Sequence, residues 1–155
     1  MALRGRRLVE RERSGRGYKL RLGAEERQVI ATLADQLGEL MESDAPLVKR
    51  LFPTAYLTDP DKDLEYQLLA RAELLDHRNQ AVDTVRSTID SSRLTPEELE
   101  AWMNVVNSIR LVLGTRLDVS EDDDGFSLDD ADAPVQAVYH FLGWLLEEMV
   151  RAVSA

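Results

Sequence analysis

The chain has 155 residues, 44% of them apolar and 31% charged, with no cysteine and a formal net charge of −10. That length suits one domain able to bury a core without disulfide or metal, and the missing thiols exclude disulfides, thiolate metal sites, cysteine nucleophiles and thiol redox sensing. No apolar run reaches the ~18 residues of a membrane span, and the Arg-rich start lacks the apolar stretch of a secretory signal, so a cytoplasmic protein is expected.

The charges are segregated. Residues 1–22 hold eight basic groups (Arg4, Arg6, Arg7, Arg11, Arg13, Arg16, Lys19, Arg21) against Glu10 and Glu12, a net of +6, and the remainder carries −16. A body that negative repels phosphate backbones, so nucleic acid could engage only the N-terminal segment.

Within that segment, residues 6–22 predict a β-hairpin. Tyr18, Leu20 and Leu22 alternate with Lys19 and Arg21, the period of a half-buried strand. Ser14-Gly15-Arg16-Gly17 supplies the turn, and Leu8 and Val9 lie in the strand before it. From Ala24 the period becomes helical. Val29, Ile30, Leu33, Leu37, Leu40 and Met41 mark one face, Glu25 and Glu26 occupy the first turn, and the helix should stop near Ser43. Leu47 to Phe52 could add a turn ended by Pro53, and residues 54–61 read as a connection.

A longer helix follows, with Leu64, Leu68, Leu75, Val82, Val85 and Ile89 along its seam. Arg71 and Arg78 interrupt that seam where a coiled coil would want apolar groups, which favours a central bundle helix. Thr95 then opens another helix: Thr95 caps, Pro96 fits the first position, Glu98 completes the reciprocal box, and Leu94 and Leu99 form the hydrophobic staple. Trp102, Val105, Val106, Ile109 and Leu113 form its inner face, and Gly114 is placed to end it. An acidic loop at 118–132 precedes a last helix from Pro134 to about Val153, with Val135, Val138, Tyr139, Leu142, Leu145, Met149 and Val153 facing inward. The expected fold is mainly α: one domain over 1–155, with a β-hairpin in 1–22 and a bundle of four to five helices in 23–155.

The acidic run invites a calcium-loop reading. Ser120 to Gly125 places a glycine at the sharp turn, but Ser120 and Ala131 stand where an EF-hand needs Asp or Asn and a bidentate Glu. His77 and His140 lie on separate helices without motif-spaced acidic partners, so no zinc site is expected. His140 reads as a core-edge or interface residue, and Trp102 and Trp144 as core fillers. Nucleophile elbows and phosphate-binding glycine loops are missing, so catalysis and cofactors are not expected. Helix-turn-helix DNA binding is opposed by Glu97, Glu98 and Glu100 at the start of the candidate recognition helix.

Two segments carry a family resemblance. Glu42 to Tyr56, with Asp44, Pro46, Leu47, Arg50, Leu51, Pro53, Ala55 and Tyr56, resembles a "DP-LxRLxPxAY" block. Trp102 to Leu117, with Asn107, Arg110, Leu111, Leu113, Gly114, Arg116 and Leu117, resembles a "W-x-x-x-L-N-D-x-R-L-x-L-G-x-R-L" signature. Both are similar to an actinobacterial family catalogued as a domain of unknown function, and the likeness covers nearly the whole chain. The resemblance implies a regulatory protein, since that family includes the oxidative-stress regulator AosR, which acts with a sigma factor, and its members are encoded beside the proteolytic adaptor ClpS. Sensing by disulfide formation, which that regulator suggests, has no cysteine to operate with here.

The expected function is therefore non-enzymatic: transcriptional regulation in oxidative stress through protein–protein contact, or modulation of ClpS-dependent proteolysis. Candidate partner-binding residues are Arg6, Arg7, Arg11, Asn107, Arg110, Arg116, Asp122, Asp124 and Phe126. Arg110 and Arg116 would flank a helix C-terminus, where cations offset the dipole and could hold the acidic loop through Asp118 or Asp122. Phe126 and Leu128 either pin the loop to the core or dock on a basic, apolar partner. A homodimer, the basic segment of one copy meeting the acidic loop of another, also follows from the charge segregation.

Overall fold

The computed structural model describes residues 7–43, 73, 76–124 and 133–154. It is mainly α with a small N-terminal sheet. The elements are β1 (Val9–Arg11), β2 (Tyr18–Leu20) and α1 (Ala24–Ser43), then α2, described over 76–87, β3 (Arg93–Leu94), α3 (Pro96–Asp124) and α4 (Ala133–Ser154). The expectations for residues 44–72, including Leu64, Leu68, Arg71 and the Pro53 stop, and for Leu75, lie outside the described residues.

The hairpin forms as expected. Val9 pairs with Leu20 and Arg11 with Tyr18, and Glu12 and Gly17 close the turn through the Glu12 N–H bond to the Gly17 carbonyl (2.9 Å). Gly15 sits in the turn at φ 73°, a conformation that side-chain-bearing residues resist. Beyond the hairpin, β3 pairs with β2 through Tyr18–Leu94 and Lys19–Arg93, making a three-stranded antiparallel sheet with β2 at its centre. Val9, Leu20, Tyr18 and Leu94 are buried, while Glu10, Lys19 and Arg93 face solvent.

The inner face is covered by α4. Leu142, Leu145 and Met149 are fully buried there, joined by Trp102, Val105, Val106, Ile109 and Leu113 from α3 and Ile30, Ala34 and Leu37 from α1. The capping box holds α3 in place: the Thr95 N–H donates to Glu98 Oε1 (2.8 Å) and the Glu98 N–H to Thr95 Oγ1 (3.1 Å). Leu94 and Leu99, on either side of the cap, are both buried. The Trp102 indole N–H donates to Thr88 Oγ1 (2.8 Å), so the largest buried ring satisfies its polar atom at the end of α2.

Gly114 does not end α3, which runs on to Asp124. The expected loop at 118–132 is thus helical through 124, and 125–132 lie outside the described residues. The glycine has a packing role instead: a Cβ at position 114 would lie 3.4 Å from the Tyr139 ring of α4. Its lack of a side chain lets the helices approach, at the modest cost glycine imposes inside a helix. Val29 and Val153, expected in the core, are instead 36% and 47% exposed.

Two charged side chains join the sheet to the bundle. Arg27 of α1 donates to the carbonyls of Leu22 (3.0 Å), Ile89 (2.6 Å), Ser91 (2.8 Å) and Leu20 (3.2 Å), so one guanidinium collects carbonyls from the end of β2 and the turn after α2. Glu148 of α4 is buried and accepts the Leu8 N–H (3.0 Å). Arg151 bonds the same carboxylate, and Arg7 lies 3.8 Å away.

Candidate functional site

Two surfaces hold the residues that sequence reasoning singled out. The first is the solvent face of the sheet. Strand alternation puts Glu10, Lys19 and Arg21 outside, and Arg93 of β3 extends the row. Glu10 pairs with Arg21 (2.5 Å) and Glu12 with Arg93 through two bonds of 2.9 and 2.6 Å. The Arg21 hydrogen bond, and then its charge, hold the Glu10 carboxyl below its ordinary range. Both carboxylates are therefore neutralised by neighbours, and the shallow ~500 Å³ depression lined by Arg11, Arg13, Lys19 and Arg93 is left cationic. Arg7 and Arg11 are exposed at this end, and Arg6 lies outside the described residues.

The second surface is a cleft of about 470 Å³ between α3 and α4, lined by Arg110, Tyr139, His140, Gly143, Trp144 and Glu147. Because α3 continues, Arg110 stands mid-helix rather than at a C-terminus, which removes the dipole role expected for it. Its guanidinium lies over the Tyr139 ring, 5.0 Å from the centroid, a cation–π arrangement. It also rests on the bare backbone of Gly143, where a Cβ would come within 3.1 Å of Arg110 Nε. That Nε is buried with no hydrogen-bond acceptor, and Arg110 enters no ion pair among the described residues.

The remaining cleft residues come from successive turns of α4. Tyr139 and His140 meet edge to face at 5.8 Å, and Phe141 supports Trp144 in the same way at 6.4 Å. Trp144 is thus a half-buried cleft wall at the core edge rather than a core filler. His140 and Glu147 are exposed. The cleft brings together a half-buried guanidinium, a carboxylate, an imidazole and an aromatic wall.

Of the other candidates, Asn107 is exposed on α3 and does not line the cleft. Arg116, Asp122 and Asp124 lie on α3, and Phe126 is outside the described residues. Among the described residues, Arg110 is thus the one expected site residue that lines the cleft. Tyr139, Gly143, Trp144 and Glu147 were missed as site residues, although their spacing along one helix is a signal that Arg110 could have prompted.

A polar contact between α2 and α3 accounts for the interrupted seam. Arg78 donates to Asn104 Oδ1 (3.0 Å) and to the buried Ser108 Oγ. Burial pushes the Arg78 pKa below its ordinary value. Among the described residues no group of three or more His, Cys, Asp or Glu is placed to hold a metal, and no helix is long and apolar enough to cross a membrane.

The model of a family described as "Domain of unknown function (DUF2017)" matches residues 6–153. No curated protein and no solved structure matches the chain.

Proposed function

The chain belongs to the DUF2017 family, and from that premise we propose that it is a non-catalytic regulatory protein that works by binding another protein. The observation that carries this reading is the cationic outer face of the sheet on a chain of net charge −10. Glu10 and Glu12 are already engaged by Arg21 and Arg93, so the positive charge of Arg13 and Lys19 is available to an acidic partner segment. Such a face steers encounter and favours one partner over another more than it raises affinity.

The motif resemblance directs the reading further, to transcriptional control during oxidative stress with a sigma factor as partner. In that case the stress signal is sensed by another subunit, since the chain has no cysteine. The alternative is a modulator of ClpS-dependent proteolysis, which rests on the same resemblance.

Titration of the purified protein against a sigma factor and against ClpS separates the two. The regulatory reading expects saturable binding to the sigma factor, weakened at least tenfold by Arg13→Glu with Lys19→Glu and by added salt. Binding to ClpS alone supports the alternative, and binding to neither overturns both.

A further inference from the structure

We infer that the cationic face of the sheet receives the acidic C-terminal end of α3 from a second copy of this chain, so that the protein pairs with itself pole to pole. The inference rests on the reading of the sheet face as a protein-binding surface, and it names an occupant for that surface. Five cations line the face against two carboxylates, Glu10 and Glu12, and those two are already engaged by Arg21 and Arg93. An excess of positive charge therefore remains there.

The complementary charge lies at the far end of α3. That helix closes on Glu121, Asp122, Asp123 and Asp124, with no basic residue in its last turn. The negative pole of the helix dipole opposes these carboxylates rather than offsetting them. By comparison, α4 carries Arg151 in its last turn, where a cation suits the dipole. No lysine or arginine follows Arg116 until Arg151, so nothing close in sequence answers the acidic run.

The fold keeps the two poles apart. Lys19 pairs with Arg93 across the sheet, and Arg93 lies just before the start of α3 at Pro96. The cationic face thus sits at the N-terminal end of α3. From Pro96 to Asp122 the helix rises roughly 39 Å, which is between four and five Debye lengths at the ~8 Å of physiological salt. One copy cannot neutralise its own poles across that distance. Two copies laid antiparallel present the same separation to each other, so both contacts form at once and close a two-fold pair. A face covered in this way is closed to other proteins, and self-pairing becomes a brake on partner binding.

The test is sedimentation equilibrium of the purified protein in about 0.1 M salt, which screens repulsion between the anionic bodies beyond ~10 Å but spares touching charges. A dimer is expected at about 100 μM protein, dissociating at least tenfold more readily in about 1 M salt. Arg13→Glu with Lys19→Glu reverses one pole, and Glu121→Lys with Asp122→Lys and Asp123→Lys reverses the other. Each variant alone should be monomeric. An equimolar mixture of the two should regain the native dimer, because both contacts then join opposite charges again. Arg13 and Lys19 are exposed and lysine suits a helix C-terminus, so both variants keep the fold, which circular dichroism checks. A native chain that stays monomeric, a variant that dimerises alone, or a mixture that does not pair would overturn the inference. A monomeric native chain that still binds a sigma factor sinks this inference alone, whereas a dimer that binds neither sigma factor nor ClpS sinks the regulatory reading alone.

Discussion

Arg27 and Arg110 are both half-buried arginines on helices, and they have opposite surroundings. Arg27 donates to four carbonyls and thereby joins α1, β2 and the turn after α2. Arg110 rests on a ring and a glycine, and its buried Nε meets no acceptor among the described residues. A satisfied buried cation is a structural joint. Arg110 instead acts by packing, setting the approach of α3 and α4 through the Tyr139 ring and the bare backbone of Gly143.

Substitutions should widen this contrast between the sheet end and the cleft. The largest loss is expected at Glu148, which joins Leu8, Arg7 and Arg151: Glu148→Ala should cost about 3–4 kcal/mol in urea unfolding. Arg27→Ala should cost about 2–3 kcal/mol, since it strands several carbonyls at once. Thr95→Ala should cost about 1 kcal/mol by removing one half of the capping box. At the cleft, Arg110→Gln should cost less, about 1 kcal/mol, the loss of its contact with the Tyr139 ring. A loss as large as that of Arg27→Ala would erase the distinction between a hydrogen-bonded joint and a packing contact.

The smallest effect is one of pH. Arg21 depresses the folded-state pKa of Glu10 below the unfolded value. The stability this contributes is present above the unfolded value and is lost as pH falls through the folded one. Melting temperatures of the native chain and Glu10→Gln should therefore differ slightly near neutrality and converge as pH falls through the depressed folded-state pKa.

The local parts of the fold were legible in the sequence. The hairpin, the Thr95 cap and the Trp102-to-Leu113 stripe depend on neighbours within a few residues, and alternation and capping chemistry read them correctly. The misses are long-range. β3 is two residues long and becomes a strand only because β2 lies beside it. Gly114 looked like a helix end until Tyr139, from another helix, was seen to need the space. Glu148 and Arg27 carry no local sequence signal, because their partners lie up to 140 residues away. The cleft was half legible: Arg110 stood out through its motif, whereas Tyr139, Gly143 and Trp144 looked like ordinary helix residues until α3 was laid against them.

The placement of β3 bears on how the chain reaches its native state. The middle strand lies between a neighbour made a few residues away and another some seventy residues further on. During synthesis the first hairpin must therefore wait with one edge bare until residue 94 has emerged, and its inner face must wait longer for the final helix. Charged side chains on the waiting strand, Lys19 among them, would deter premature pairing with other nascent chains.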